Sequence, residues 1–348
     1  MCQKNALSVN RFNTLAIVIA VLLFSAIVLW SESPSGKTGA TINHSLLTAT
    51  YLGDGQPALV PIPRQVELDP RAVQLGRRLF HDPILSGNGF SCSTCHPVDG
   101  YGVDGLARSI KTGGGFDVMN TPSVLNSGFN ASQLWNGKAR SLEEQLDGVI
   151  NNPLHMDSSW QKVLANLKGE PDYASAFASL YPAGISQASV SHAVSSYERS
   201  LITPDSALDG YLRGDEQALT QQQLKGLELF QQYGCISCHQ GVNLGGNLFA
   251  RSGIYESIHT EQEQLDDFDF GRYTYTGDPR DKFVFRVPSL RNVAETAPYF
   301  HDGKVERLDE AIRTMARAQL NIDMPDEDVE LIEQFLHSLT GQLPEPAT

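Results

Sequence analysis

Apolar side chains recur at intervals of three and four residues along much of this chain, which is the spacing of amphipathic helices. The clearest stripes lie in residues 142–149, 160–167, 190–201 and 329–339. We expect the last of these helices to end at Gly341, because glycine is favoured just after a helix. No series of alternating apolar and polar positions marks a sheet, and the pattern therefore predicts a mainly α fold.

Two of the helix starts carry an additional signal. Ser141 and Glu144 form a capping box ahead of the stripe at 142–149, and Ser158 and Gln161 form another ahead of the stripe at 160–167. In such a box the serine hydroxyl accepts a hydrogen bond from a backbone amide of the first helical turn. Both pairs predict where a helix begins.

A continuous apolar run at residues 15–30 follows Lys4 and Arg11, as the core of an export signal follows basic residues. The run is long for a signal-peptide core and short for a membrane helix. We therefore expect export to the periplasm. Residues 1–31 would be either a cleaved signal peptide or an N-terminal membrane anchor, and residues 32–55, rich in Ser, Gly and Thr, would be a linker.

Composition narrows the class of protein. The chain has 348 residues, 41% of them hydrophobic, and a formal net charge of −14. This length fits two domains of ordinary size. The acidic balance argues against nucleic acid as a partner, because a phosphate backbone needs a basic surface. It suits a soluble protein that meets a basic partner.

Four of the five cysteines belong to two C-x-x-C-H motifs, made of Cys92, Cys95, His96 and of Cys235, Cys238, His239. This motif attaches c-type haem through two thioethers, and its histidine ligates the iron. A thioredoxin-like pair needs no following histidine, and a zinc centre would have to bring four thiolates together. The histidines favour two covalently bound haem c groups, whose attachment requires an oxidising compartment.

The chain also repeats one unit. A helical stretch with a glycine, Gly76 in the first copy and Gly226 in the second, precedes each haem motif. Such self-similarity predicts a duplicated structural unit. Pro204 and Asp205 lie between the copies, and we expect a first haem domain at residues 56–204 and a second at 205–348.

Several independent stretches resemble the bacterial di-haem cytochrome c peroxidase family, which includes the di-haem enzymes that oxidise tryptophans of partner proteins. They are Leu-Phe-His-Asp-Pro at 79–83, Asn-Thr-Pro-Ser at 120–123, Leu-Trp-Asn-Gly-Lys-Ala at 134–139, Asn-Pro-Leu-His-Met at 152–156, Phe-Arg-Val-Pro-Ser-Leu-Arg-Asn-Val at 285–293 and Thr-Ala-Pro-Tyr-Phe-His-Asp-Gly at 296–303. The resemblance covers about residues 68–341. It implies a mainly α fold of two cytochrome-c-like domains, each with one covalently bound c-type haem.

The resemblance further implies roles for the two haems. The first, with proximal His96, would be the peroxide-reactive haem. The second, with proximal His239, would be the electron-transfer haem, and Met315 would be its distal ligand, with Met324 as the reserve candidate. A thioether ligand raises the reduction potential of haem iron.

Two further assignments follow from the same resemblance. Trp135 matches a tryptophan that lies between the haems and relays electrons, although a core aromatic is the simpler interpretation of that residue. Asn120, Thr296 and Pro298 match the ligands of a calcium ion at the domain interface. Oxygen ligands of this kind suit a hard cation.

The chain departs from the family at the first haem. No histidine lies between Pro97 and Gln133, where resting peroxidases often carry a distal ligand. The iron would then be five-coordinate or water-ligated, with Lys111 a disfavoured alternative ligand. In addition, His155 occupies the position of the family's distal glutamate. It could act as the acid/base for O–O cleavage, could ligate the iron, or could mark a pocket that has lost peroxidase chemistry. We favour the first of these interpretations.

Residues 241–286 form a long Gly- and Asp-rich insertion after the second haem motif. We expect its acidic residues to face solvent, with a metal site as the disfavoured alternative: Glu261, Glu263, Asp266, Asp267 and Asp269. His301 is expected near the second haem but not as its ligand.

The sequence thus predicts an oxidoreductase in which hydrogen peroxide reacts at the first haem and electrons pass through the second. Electrons drawn from a small cytochrome c or cupredoxin would make it a peroxidase. Electrons drawn from a tryptophan or tyrosine of a partner protein would make it a maturase. A di-haem electron carrier is the third hypothesis, and the sequence leaves a homodimer open.

Overall fold

Helix α1 begins where the sequence places a cap, since Asp69 accepts a hydrogen bond from the Arg71 amide and Pro70 opens the first turn. The computed structural model describes residues 58–259 and 264–344. The predicted signal or anchor segment, the linker, and Glu261 and Glu263 lie outside the described residues.

The first half of the described chain contains six α-helices. They are α1 Pro70–His81, α2 Cys92–Cys95, α3 Leu142–Ile150, α4 Trp160–Gly169, α5 Pro171–Leu180 and α6 Gln187–Ser200. Helices α1, α4, α5 and α6 enclose one apolar core that includes Leu79, Val163, Phe177 and Val190.

The second half contains five α-helices and one small sheet. The helices are α7 Ala207–Leu212, α8 Gln221–Gln232, α9 Tyr273–Thr276, α10 Leu308–Leu320 and α11 Asp326–His337. Strands β1 Phe249–Arg251 and β2 Val284–Arg286 pair antiparallel, with Phe249 opposite Arg286. The predicted mainly α fold is confirmed.

The predicted helix ends need two corrections. Ser141 caps α3 by accepting from the Glu144 amide, as expected, but Ser159 rather than Ser158 caps α4. Helix α11 ends at His337, four residues before Gly341, so Gly341 does not terminate the helix as predicted. Gly341 lies instead against a neighbouring chain segment, where a Cβ atom would be 2.0 Å from the Thr203 carbonyl oxygen.

The helix before each haem motif packs against the last helix of its own half in the same way. A Cβ atom at Gly76 would lie 1.9 Å from the Ala193 carbonyl oxygen in α6, and one at Gly226 would lie 1.9 Å from the Leu331 carbonyl oxygen in α11. Only glycine permits so close an approach of two helices. The duplicated glycines therefore determine the helix crossing in both halves.

Aromatic pairs repeat across the same crossings. The ring centroids of Phe80 and Tyr197 are 5.2 Å apart in the first half, and those of Phe230 and Phe335 are 5.1 Å apart in the second. Each pair lies one helical turn beyond the glycine contact, which makes Tyr197 the counterpart of Phe335.

The duplication is gapless from Asn120 to Val149, which align with Arg286 to Met315. Near its start each copy contains Pro-Ser-x-x-Asn. Both asparagines of this motif, Asn126 and Asn292, have a φ of 60°. In each copy the backbone N–H of this asparagine donates to the backbone carbonyl of a leucine near the end of that half. The leucine is Leu201 in the first half and Leu339 in the second.

Within this alignment, a hairpin loop that contains Trp135 corresponds to one that contains His301. Each loop is closed by an antiparallel bridge, Gln133 to Ala139 in the first and Tyr299 to Val305 in the second. The loops bond across the two halves reciprocally, because Arg286 N donates to Trp135 O at 2.9 Å and Asn120 N donates to His301 O at 2.8 Å. Trp135 and His301 therefore lie where the two copies meet.

All described residues belong to one compact unit, and the division between residues 204 and 205 stays a prediction. Across residues 58–259 and 264–344, none of the helices combines the length and apolar character needed to cross a bilayer. The apolar run at 15–30 lies outside this range.

Candidate active site

A cavity in the first half collects most of the residues to which the sequence assigns chemistry. It contains about 1040 Å³ of space outside any atom, part of it open to solvent. Five of the predicted site residues line it: Cys92, Cys95, His96, Trp135 and His155. Asn120, predicted as a calcium ligand, lies on the same wall.

His96 is prepared for iron binding by its hydrogen bond. Its Nδ1 lies 3.0 Å from the Gly102 carbonyl oxygen, which can only accept, so the ring proton is on Nδ1 and the Nε2 lone pair is available. Burial lowers the pKa of His96 and keeps the imidazole neutral, which is the form that ligates metals. The donor set fits a c-type haem.

The second motif has the same arrangement. His239 Nδ1 lies 3.1 Å from the Leu244 carbonyl oxygen, and burial lowers the pKa of His239 as well. The ring of Phe230, from the helix before the motif, lies 6.4 Å from that of His239. This donor set also fits a haem.

The cysteines argue against the rival interpretations of the motifs. Burial raises the pKa of Cys92 to about 12 and that of Cys235 to about 11, so neither thiol is the activated thiolate of a redox pair. Among the described residues, the four thiols do not converge on one metal centre. Both motifs therefore present free thiols for thioether attachment.

His155 faces the cavity with a buried partner that sequence analysis missed. Its Nε2 lies 2.6 Å from Asp117 Oδ2, and its Nδ1 lies 3.4 Å from the Asn152 amide nitrogen. Because Asp117 can only accept and Asn152 Nδ2 can only donate, the ring proton is on Nε2. Burial opposes the charge on Asp117, but hydrogen bonds from His155 and the Val118 amide hold the pKa of this carboxyl below its ordinary value.

The loop in which the resemblance leads us to expect a distal histidine, and which has none, is fixed to the His155 segment. Thr112 donates its backbone amide to the Leu154 carbonyl at 2.9 Å and its hydroxyl lies 3.2 Å from the His155 carbonyl oxygen. Asn88 reaches Thr112 from the other side at 2.6 Å. Neither Thr112 nor Lys111 lines the cavity, which gives no support to Lys111 as a ligand.

Trp135 is held rigidly at the junction of the two halves. Its indole Nε1 donates to the Asn120 carbonyl at 3.0 Å, and its ring lies edge-on to His301 with the centroids 6.5 Å apart. The indole thus lines the first cavity and also contacts the hairpin loop of the second half.

Met315 lies on α10 and is partly buried. In the gapless alignment of the two copies its counterpart is Val149 on α3, and Val149 lines the first cavity. The duplication therefore supports a position for Met315 on the wall of the second haem site. Valine has no ligand atom, whereas methionine has a thioether.

Comparisons with known proteins agree with this geometry. Residues 70–217 match the family model described as di-haem cytochrome c peroxidase. The cytochrome c551 peroxidase of Pseudomonas aeruginosa is 41% identical over 322 residues, which are 89% of this chain and 92% of that protein. The chain belongs to the di-haem cytochrome c peroxidase family.

Two further proteins resemble this member of the family. The cytochrome c peroxidase Ccp of Escherichia coli is 44% identical over 81% of this chain, which spans 60% of that longer protein. The crystal structure of a MauG-like protein associated with microbial copper homeostasis is 29% identical, with a TM-score of 0.72 over 83% of this chain and 95% of that one. The chain is thus a peroxide-using di-haem oxidoreductase with haem c cofactors.

Three carboxyl or amide side chains of the first cavity were not found by sequence analysis: Asp117, Gln145 and Glu198. Gln145 and Glu198 interrupt apolar stripes on α3 and α6, and a polar residue on a buried stripe was the signal that could have found them. Burial raises the pKa of Glu198 to about 8. Asp117 lies in a glycine-rich loop and carried no such signal.

The structure gives only the local surroundings of the three predicted calcium ligands. Asn120 Nδ2 donates to the Leu106 carbonyl at 3.0 Å, which leaves the side-chain oxygen to accept or coordinate. Thr296 ends a short 3₁₀ turn, and Pro298 follows a cis peptide bond.

One prediction about the insertion is wrong. Asp269 was expected in solvent but is 5% exposed, because its carboxylate lies 2.8 Å from His301 Nε2. The expectation for His301 near the second haem is not tested by these contacts.

Proposed function

We propose that hydrogen peroxide reacts in the cavity beside His96 and that His155 and Asp117 provide the acid/base. The single observation that carries this proposal is the 2.6 Å hydrogen bond between His155 and Asp117 on the wall that also holds the first haem motif. A general base must lie within reach of the proton that it removes.

The chemistry of this pair follows from its hydrogen bonds. A haem held by Cys92, Cys95 and His96 would supply the two-electron reduction of the peroxide O–O bond. His155 accepts a peroxide proton at Nδ1, and the Asp117 carboxylate, bonded to Nε2, stabilises the resulting imidazolium. The imidazolium returns the proton to the leaving oxygen. Peroxide, two electrons and two protons then give two water molecules.

Acid/base action is better supported for His155 than iron ligation. The Nε2 atom is held by Asp117 at 2.6 Å, whereas the contact of Nδ1 with the Asn152 amide nitrogen is 3.4 Å long and leaves that lone pair the easier one for a peroxide proton to reach. Ligation through Nε2 would break a short hydrogen bond to a buried carboxylate, and an unpaired buried charge is costly.

Electrons would enter through the second haem site, held by His239 with Met315 as distal ligand, and would pass Trp135 on the way to the first. The position of Trp135 at the junction of the two copies supports this relay. A small cytochrome c is the proposed donor. One relative is a cytochrome c551 peroxidase, and a net charge of −14 favours a basic partner.

A second candidate is the oxidation of a tryptophan or tyrosine in a partner protein. It is favoured by the departures at Thr112 and His155 and by the similarity to a MauG-like protein. Retention of a methionine at position 315 favours the peroxidase. A pure electron carrier is disfavoured, because it would have no use for the acid/base pair in the cavity.

We further propose that the protein acts in the periplasm, where c-type haem attachment finds an oxidising environment. A calcium ion bound by the side chain of Asn120 and by the carbonyls of Thr296 and Pro298 would join the two halves. The reciprocal hydrogen bonds around Asn120 support a structural role for such an ion.

The experiment compares electron donors with the haem-loaded protein and hydrogen peroxide. We expect rapid oxidation of a reduced small basic cytochrome c, measured by its α-band absorbance. Mass spectrometry of candidate partner proteins from the same reaction detects oxidised tryptophan or tyrosine. Peroxide-dependent modification of a partner protein without oxidation of the cytochrome would mean that the protein is a maturase and not a peroxidase. No peroxide consumption with any donor would reject both.

A further inference from the structure

Three side chains outside the first cavity converge at the junction of the two halves. They are His259 and Asp269, both from the insertion, and His301 from the second hairpin loop. One potential ligand atom from each lies within 4.8 Å of the others. Over residues 58–259 and 264–344, no other group of His, Cys, Asp or Glu meets this condition.

The closest pair already has a separation near that of two ligands on one ion. His301 Nε2 and Asp269 Oδ1 are 2.8 Å apart. Two ligands at the tetrahedral angle that zinc prefers, each about 2.0–2.1 Å from the ion, would be roughly 3.3 Å apart, so the pair would separate by about half an ångström. A metal ion could therefore take the place of the shared proton with little movement of either side chain.

Both of these ligands are held in place by other contacts. Asp269 accepts a hydrogen bond from the Asp266 amide at Oδ2, 2.7 Å away, which turns Oδ1 toward His301. The His301 ring stacks on Phe285 with the centroids 4.5 Å apart. Preorganised and buried ligands of this kind lose little freedom when an ion binds.

The third ligand comes from the partly buried His259. Its ring lies edge-on to that of His301, with the centroids 5.6 Å apart, and packs near Phe283 at 6.2 Å. Burial lowers the pKa of His259, which favours the neutral imidazole. It is the ligand that would have to move most.

We propose that His259, Asp269 and His301 bind one divalent first-row transition metal ion, with water completing its shell. Two imidazoles and one carboxylate are the donors that such ions prefer, whereas calcium takes oxygen ligands. Binding displaces the proton of His301 Nε2 to solvent.

The site belongs to the second half alone. His301 corresponds to Trp135 in the first half, and tryptophan has no ligand atom. His259 and Asp269 come from residues 240–287, a segment about twice as long as its counterpart, residues 97–121. The duplication therefore contains no second copy of this cluster.

The test is a zinc titration of the haem-loaded protein after treatment with chelator, followed by calorimetry and by metal analysis after gel filtration. We expect one zinc ion per chain. His259→Ala should weaken binding at least about tenfold, as loss of a direct ligand exceeds the usual effect of second-shell changes. Asp269→Asn, which preserves shape, should weaken it similarly. His337→Ala, at the exposed end of α11, is the matched control and should bind as the wild type does.

Calcium at the same concentration should not compete with zinc. Haem absorbance and far-ultraviolet circular dichroism of each variant establish that it has folded. Should Asp269→Asn fail that check, His259→Ala in its partly buried loop still decides the matter. Absence of stoichiometric zinc in the wild type, or undiminished binding by folded His259→Ala, would show that the three residues form no metal site.

Discussion

The two halves share one scaffold but differ at the positions that line the first cavity and at their counterparts in the second half. In the first half α3 presents Gln145 and Val149 to the cavity, and the aligned positions on α10 are Ala311 and Met315. The first site thus gains an amide where the second has a methyl group. The second gains a thioether where the first has only a hydrocarbon.

The last helix of each half, α6 in the first and α11 in the second, shows the same difference in polarity. Glu198 of α6 lines the first cavity, and its counterpart on α11, one residue after Phe335, is the buried Leu336. Duplicated glycines and aromatic pairs preserve the fold in both halves. The comparison teaches that the two halves keep the same packing while a few equivalent positions differ in polarity, as the proposed division between a peroxide site and an electron-transfer site requires.

The largest expected effect concerns His155, which has no counterpart in the second half. His155→Ala should slow the reaction of the ferric protein with peroxide by roughly 10²- to 10⁴-fold, the usual contribution of a positioned acid/base. Stopped-flow absorbance of the first haem measures the rate. His155→Glu should recover part of it, and Asp117→Asn should slow the reaction less than His155→Ala does. A wild-type rate in His155→Ala would rule out the acid/base assignment.

The second prediction exchanges the residues at one aligned position. Met315→Val gives the second site the residue of the first, and we expect its low-spin haem signal to become high-spin. Its reduction potential should fall on the order of a tenth of a volt or more, within the ~0.8 V that axial ligands span. Electron paramagnetic resonance and redox titration measure both changes. Met324→Leu is the control, and if it alone reproduced them, Met324 would be the ligand.

A third prediction concerns the buried carboxyl of the first half. Burial raises the pKa of Glu198 from 4.5 to about 8 in the folded protein. The folded state therefore keeps a proton that the unfolded state releases, and the free energy of unfolding should fall as pH rises from about 4.5 to about 8. Glu198→Gln should remove on the order of 4 kcal/mol of this fall, because the shift is about 3.5 pKa units at roughly 1.4 kcal/mol for each unit and a part of it lies outside this pH range.

Urea unfolding at pH 5 and pH 8 measures this difference for the haem-loaded proteins. Glu216→Gln, at an exposed position, is the matched control and should retain the wild-type slope. If the free energy of unfolding changed with pH in the same way in the wild type and in Glu198→Gln, the Glu198 carboxyl would be ionised in the folded state.

The fourth prediction tests the residue that joins the two sites. Trp135→Phe keeps most of the packing but removes an oxidisable indole, and steady-state turnover should fall about 10- to 100-fold, or roughly 1.4–2.7 kcal/mol of barrier. Trp160→Phe is the control, because Trp160 donates to Asp147 and does not line the cavity. Undiminished turnover in Trp135→Phe would exclude an obligatory relay.

Much of this arrangement could be predicted from the sequence because it depends on local patterns. The helical stripes predicted the fold class, and the C-x-x-C-H motifs together with the glycine before each predicted the duplicated haem units. The hydrogen bond that Arg286 N donates to Trp135 O could not be predicted, because it joins residues distant in the chain. The burial of Asp269 could not be predicted for the same reason, because its hydrogen-bond partner His301 comes from another loop.

The smallest expected effect tests the proposed calcium ion between the halves. If the side chain of Asn120 and the carbonyls of Thr296 and Pro298 hold calcium, EGTA should lower the melting temperature by about 1–2 degrees, which corresponds to about 1 kcal/mol for a protein of this size. Added calcium should restore the melting temperature. Asn120→Ala should abolish the response to EGTA, whereas the zinc-binding variant His259→Ala should retain it, since the two sites use different residues. Equal melting temperatures with and without EGTA, together with no calcium in elemental analysis, would show that no calcium ion binds at the junction. The reciprocal hydrogen bonds of Asn120 and Arg286 would then join the two halves without it.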